Sequence, residues 1–386
     1  MLNHLITIDE AYVIKMRRYF HQHPELSSKE YHTRDTIISE LKKMDIPYEC
    51  VTETGIMAWI NKDHVGTVVG LRADMDALPI EEVNTCDYVS ANQGVMHACG
   101  HDSHIAMLLG AAKALKSMED KLECGVKLIF QPAEETMSGA KAMAALGVMR
   151  DVDYLFGMHV GCDVDSGSIG LSSGPIMAAV DAFKITIHGK SAHGALPYLG
   201  VDAIVVGAQI VSNIQTIISR EIAPFEPVVM TIGKFHGGTA DNIVADEVVL
   251  EGTVRYFNQD LYATIRGKVE EKSRRIAESY GATVTIDYRD GLPPVDNDED
   301  MIKLAIASAK RAGLEPVPFK PVTISEDYAI LANGRKSAFG FIGIRQGNTQ
   351  PMLHTPDFNI DESILAKGAH MHVQFVLGIS DGTINA

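Results

Sequence analysis

Histidine, cysteine and acidic side chains gather in four short stretches of the chain: Met96–Asp102 (MHACGHD), Gln131–Glu135 (QPAEE), Gly157–His159 (GMH) and Leu353–Asp357 (LHTPD). A fifth, Arg72–Asp76 (RADMD), follows an apolar run. Taken singly, each has an ordinary reading: a helix N-terminal turn with a buried thiol, a solvated acidic turn, a hydrogen-bonded core histidine. Together they supply one thiolate, three imidazoles and a carboxylate, a donor set suited to first-row transition metals. One carboxylate is then left over beside the one that would bind. Consecutive side chains on extended backbone point to opposite sides. A turn at Pro132–Ala133 can nevertheless aim Glu135 at a metal while Glu134 leans over a water. Metal-assisted hydrolysis needs such a base beside an activated water.

Two other chemistries use the same atoms. Cys99 could serve as the nucleophile of a Cys–His hydrolase. His101, however, is two residues away on the same turn and better placed to share a metal, and Glu134, Glu135 and His354 would have no task. Alternatively, the chain binds metal without catalysis, and then Glu134 has no structural reason to be there.

Ligand sites in open α/β sheets lie beyond the carboxyl ends of the strands. Thr67–Leu71, Val126–Phe130 and Tyr154–Met158 are short apolar runs suited to central strands, and the second and third run directly into QPAEE and His159. Apolar spacings of three and four predict helices over Glu10–His21 and Glu30–Met44, and Ile105, Leu108, Leu109, Ala112 and Leu115 mark one face of another. Strands separated by helices of this length predict an α/β sheet with a mostly parallel core. The middle of the chain reads β-α-β-β-α-β, the split arrangement of ferredoxin-like domains, with loop chemistry (GKFHGGTADN) between its second and third strands. Turn-rich segments at Ser172–Pro175 and Gly291–Pro294 bracket it. The expected organisation is a larger domain built from residues 1–176 and 291–386, with a smaller α+β domain, 177–290, inserted into it.

The 386 residues carry 34 Lys+Arg against 50 Asp+Glu, a net charge of −16, which argues against a nucleic-acid binder or an anionic membrane surface as partner. Five scattered cysteines do not make a disulfide framework. The first ten residues, MLNHLITIDE, lack the basic and apolar regions of a signal peptide. The uncharged run Ala203–Ser219 carries Gln209, Ser212, Asn213, Gln215 and Thr216, so it reads as a buried helix and not a membrane span. The expectation is a soluble, cytoplasmic protein.

These motifs, together with His23-Pro24-Glu25-Leu26, Ala77-Leu78-Pro79 and Gly237–Asn242 (GGTADN), run in the order found in metallopeptidase family M20. The chain resembles that family's amidohydrolase branch, which includes aminoacylase-like, hippurate and auxin-conjugate hydrolases. The resemblance implies a zinc-peptidase-like catalytic domain with the inserted domain acting as a lid. It also implies a site for two divalent ions, Zn2+ or Mn2+, with Co2+ or Ni2+ possible. In that site Cys99 would bridge the ions, and His101, Glu135, His159 and His354 would complete the ligand set. Glu134 would be the general acid/base, taking a proton from the attacking water and returning it to the leaving amine. In the lid, His193 would polarise the scissile carbonyl and Asn242 would contact the substrate near its carboxylate. Ser191, Tyr198, Ala245 and Tyr328 stand where the branch usually has Gly, His, Pro and Phe. The implied activity is hydrolysis of the amide bond of N-acyl amino acids by a homodimer joined through the lid, with a dipeptidase or carboxypeptidase of the same family as the alternative. The acyl group is open.

Overall fold

Apolar runs become the middle of an eight-stranded sheet in a computed structural model that describes residues 6–347 and 352–382. In sheet order the strands are Tyr48–Cys50, Ile56–Ile60, Gly125–Gln131, Val68–Asp74, Tyr154–Asp165, Lys336–Arg345, Ser168–Gly170 and Glu315–Val317. Gly125–Gln131, Val68–Asp74, Tyr154–Asp165 and Lys336–Arg345 run parallel to one another, so their carboxyl ends share one edge of the sheet. They are buried almost throughout, which is why they read as continuous apolar runs rather than alternating ones.

Two expectations need correction here. Tyr154–Asp165 does not stop at Met158: it continues for seven more residues, paired in parallel with Lys336–Arg345, and His159 lies inside the strand opposite Phe341. The helix His101–Lys116 has no single apolar face, since every residue but Lys113 and Lys116 is buried. It is covered by the helices Glu10–Gln22 and Leu365–Ser380 while also meeting the sheet, and a helix enclosed on all sides has no polar stripe to reveal its orientation.

By its contacts the chain forms two compact units. Residues 1–176, 296–320 and 326–386 make the first, which holds the eight-stranded sheet; residues 177–295 and 321–325 make the second. The second unit is a four-stranded antiparallel sheet in the order Val228–Gly237, Glu247–Tyr256, Ala179–His188, Thr283–Leu292. Two helices, Ala203–Thr216 and Leu261–Ser279, pack on it, and Phe183, Ile185, Ile187, Val206, Ile210, Val248, Leu250, Ile265 and Val269 share its core. This is the β-α-β-β-α-β succession. The segment Gly233–Gly237, expected as loop, is strand with a register shift between Ile232 and Lys234. Two of its five residues are glycines, which weaken a strand signal and often mark such irregularities. Each unit has its own hydrophobic core.

Candidate active site

Cys99 and His101 flank Gly100, which caps the helix His101–Lys116 with φ of 85°. A Cβ there would lie 2.6 Å from Val160 Cγ2, so only glycine satisfies both the left-handed backbone and the close approach. His101 is the first helical residue. Its Nδ1 donates to the Asp76 carbonyl at 2.9 Å and lies 3.2 Å from Asp76 Oδ1. This leaves Nε2 buried and without a hydrogen bond among the described residues, its nearest carboxylate oxygen being Asp74 Oδ2 at 3.8 Å.

The acidic pair sits on a turn that begins where the strand Gly125–Gln131 ends. Ala133 takes φ of 51°, uncommon for a residue with a side chain. Its N–H donates to Glu30 Oε1 at 2.8 Å, and its carbonyl accepts from the N–H groups of Ser138 and Gly139, both at 3.2 Å. A Cβ on Gly139 would stand 1.6 Å from the Pro132 carbonyl oxygen, so the turn requires glycine there. The N–H of Glu135 donates to Asp76 Oδ2 at 3.0 Å, and Glu135 Oε1 is buried and makes no hydrogen bond among the described residues.

His159 enters from its strand and His354 from a loop in which it adopts φ of 61°. The His354 N–H is held by the Ala98 carbonyl at 2.8 Å. His159 Nε2 is 3.4 Å and His354 Nε2 3.3 Å from Cys99 Sγ, and His354 Nε2 is also 3.5 Å from Glu135 Oε1. Cys99, His101 and Glu135 each offer one donor atom within 4.8 Å of the others. All five expected ligands therefore converge on one thiol, from four separated segments of chain.

The donors fit a divalent metal. Two buried donor atoms, His101 Nε2 and Glu135 Oε1, make no hydrogen bond among the described residues, with only the longer approaches of Asp74 Oδ2 at 3.8 Å and His354 Nε2 at 3.5 Å beside them. A buried polar atom without a hydrogen bond is costly unless something binds it. Burial pushes the Cys99 thiol well above its ordinary range, so a thiolate there calls for a cation. The same burial works against a histidine-activated thiolate nucleophile. Burial, with His104 nearby, holds His159 well below the usual imidazole range, which keeps it neutral as a ligand must be.

Glu134 is half-buried and lies beside Glu326 and Asp327, with one oxygen from each of the three within 4.8 Å. Burial first, and then those two carboxylates, raise its carboxyl well above the usual range. Arg72 holds this acidic group together. Its Nη2 is 2.9 Å from both Glu326 Oε1 and Asp327 Oδ1, its Nη1 2.6 Å from Asp74 Oδ2, and its Nε 2.9 Å from Gln131 Oε1. Asp74 Oδ1 lies 2.5 Å from His104 Nδ1, and His104 Nε2 accepts the N–H of Val160 at 3.0 Å. Glu30, Glu326, Asp327 and the task of His104 were not foreseen from sequence. One signal was available: Arg72 directly follows the apolar run Thr67–Leu71, and a charge beside a buried strand must meet partners.

His193 and Asn242 lie in the second unit. Ala192–His193 pairs with Ile243–Val244, His193 opposite Ile243, and the Gly194 N–H donates to the Asn242 carbonyl at 2.7 Å. Both side chains are exposed, and His193 Nδ1 accepts the N–H of Ala195 at 3.0 Å. Tyr328, where the resembled branch has Phe, places its hydroxyl 3.1 Å from the Leu155 carbonyl and 3.0 Å from that of Ala338, so a buried hydrogen bond accommodates the extra oxygen.

Residues 70–378 match peptidase family M20/M25/M40. The chain belongs to that family. Among its relatives is an N-acetyl-L-cysteine deacetylase of Bacillus subtilis, 38% identical over 362 residues, covering 94% of this chain and 86% of that one. Another is a thermostable carboxypeptidase of Saccharolobus solfataricus, 37% identical and covering 96% of each chain. Among solved structures, a dinuclear metal-binding peptidase of family M20 from Bacillus subtilis superposes with a TM-score of 0.86 at 33% identity, covering 96% of this chain and 98% of that one. This M20 chain is accordingly a hydrolase of amide bonds.

Proposed function

We propose that the enzyme removes the acyl group from N-acyl amino acids, with Cys99, His101, Glu135, His159 and His354 holding two divalent ions and Glu134 as the general acid/base. The convergence of five donors on Cys99 Sγ, with Glu134 next in sequence to one of them, carries this reading. When bound, a pair of divalent ions supplies an acidified water and polarisation of the amide carbonyl. Glu134 accepts the water's proton on its carboxylate and passes it to the leaving nitrogen. Asp76 does two things at once: it fixes the His101 ring through Nδ1 and holds the backbone of Glu135. Arg72 keeps Glu326 and Asp327 in place beside Glu134.

The second unit serves as the lid of this reaction, with His193 donating to the carbonyl oxygen as charge develops there and Asn242 meeting the carboxylate end of the substrate. Val228–Gly237 is one of the two edge strands of that unit's four-stranded sheet and exposes Val229 and Phe235, which supports a homodimer formed through it. Five free cysteines support a reducing, cytoplasmic setting. No described helix is long and apolar enough to cross a membrane.

A panel of N-acetyl, N-benzoyl and indole-acetyl amino acids and of dipeptides, assayed with Zn2+, Mn2+, Co2+ and Ni2+ in turn, tests the assignment. Release of free amino acid from the N-acyl compounds, abolished by chelation and restored by metal, is the expected result. Turnover confined to dipeptides would move the enzyme to the carboxypeptidase side of its family. No amide hydrolysis anywhere in the panel would refute the proposal, and activity surviving exhaustive chelation would return Cys99 to the role of nucleophile.

A further inference from the structure

Glu30 is a fully buried carboxylate at the N-terminus of the helix Tyr31–Lys43, and it does not cap that helix. Glu25 does so instead. Its carboxylate accepts the N–H groups of His32 at 3.1 Å and Thr33 at 2.8 Å. The side chain of Glu30 turns away, and its Oε1 takes the N–H of Ser28 at 2.9 Å and that of Ala133 at 2.8 Å. Burying a carboxylate costs several kcal/mol, so a helix whose cap is already provided gains nothing from it.

What the buried oxygen holds is the residue with φ of 51° just before Glu134 and Glu135. A left-handed alanine persists only where its surroundings enforce it. The Ala133 carbonyl is fastened from the far side by Ser138 and Gly139, and among the described residues its N–H is fastened by Glu30 alone. Ser27, in the same short segment, donates to Asp76 Oδ2 at 2.7 Å, the oxygen that also receives the Glu135 N–H. Ser27 and Glu30 thus brace both ends of the acidic pair, while the Glu25 carboxylate is spent on the N–H groups of His32 and Thr33.

We infer that Glu30 is a positioning residue for hydrolysis: through the Ala133 N–H it fixes the turn that places the Glu134 carboxylate. The role rests on the proposed use of Glu134 as acid/base. It requires an acceptor oxygen at Oε1 and not a negative charge, so a carboxamide should substitute for it.

The test compares Glu30→Gln, Glu30→Leu and, as a control, Glu25→Ala, which uncaps the same helix without touching the turn. For Glu30→Leu, kcat on an N-acyl amino acid should fall about 10- to 100-fold, as when a partner supporting an active-site group is lost, with KM within about twofold and bound metal unchanged. Glu30→Gln should keep kcat within about threefold. Hydrogen exchange of the 131–139 peptide should rise in the Leu variant only, a readout that does not depend on substrate. Glu25→Ala should lower Tm and leave both kcat and that exchange alone. Full kcat in a folded Glu30→Leu variant, or equal loss in Glu30→Gln, would overturn the role. If the wild-type enzyme hydrolyses no amide while exchange still separates Leu from Gln, the proposed function fails and the brace on Ala133 stands.

Discussion

Glu134 and Glu135 are neighbours with different proposed tasks and different surroundings, and they follow the left-handed Ala133. One carboxylate joins the cluster at Cys99, and the other leans toward Glu326 and Asp327. Glu134→Gln keeps the shape and removes the proposed base. Turnover should drop about 10²- to 10⁴-fold while the metal content of the purified protein is unchanged. Near-normal kcat in that variant would remove Glu134 from the mechanism. Arg72→Met tests the acidic group in another way, because it leaves Asp74, Glu326 and Asp327 buried without their cation. Breaking a buried ion cluster from one side costs about 3–5 kcal/mol, to be read from urea unfolding. Trp59, the chain's one tryptophan, lies in the same unit and reports that transition by its fluorescence.

At the level of elements, the closing helix Leu365–Ser380 shows how burial translates into pH dependence. His372 is enclosed within it against Phe156, and burial, with His104 adding to it, depresses its pKa from the usual 6.5 to about 3. A histidine held neutral stabilises the fold fully above pH 6.5, and that contribution is lost as pH falls from 6.5 toward about 3, where the unfolded chain takes up the proton first. The loss from this residue between pH 7 and pH 5 is about 2 kcal/mol. His372→Gln should therefore show a shallower fall in stability over that interval, followed by Trp59 fluorescence. An unchanged slope would mean that the ring is not the group being protonated.

Over the whole molecule, two hydrophobic cores in two units predict two unfolding transitions by calorimetry, since cores that share no residues need not melt together. The Cys99 cluster belongs entirely to the first unit. Metal bound there stabilises only the unit that binds it, by RT ln(1 + [L]/Kd). Chelation should then lower the transition seen by Trp59 and leave the other where it was. A shift of both by the same amount would show that the units unfold as one body.

Donor types, their order along the chain and the strands that carry them were legible in the sequence, because apolar runs and chemically distinctive residues are local properties. The parallel sheet and the β-α-β-β-α-β succession followed from that periodicity. The limits were equally physical. His159 was expected just past a strand end and lies within the strand, because pairing with Lys336–Arg345 prolongs it, and pairing is a property of two segments. In sequence Arg72 follows the apolar run Thr67–Leu71, whereas the strand continues through it to Asp74, and its partners Glu326 and Asp327 stand more than 250 residues away and have no local signature. Glu30 reads in sequence as an ordinary helix-start glutamate, and only the folded chain shows it turned inward toward Ala133. Residue chemistry determined what this protein can do with an amide bond. The tertiary structure decided which carboxylates are held for it, since burial and convergence arise only when distant segments meet.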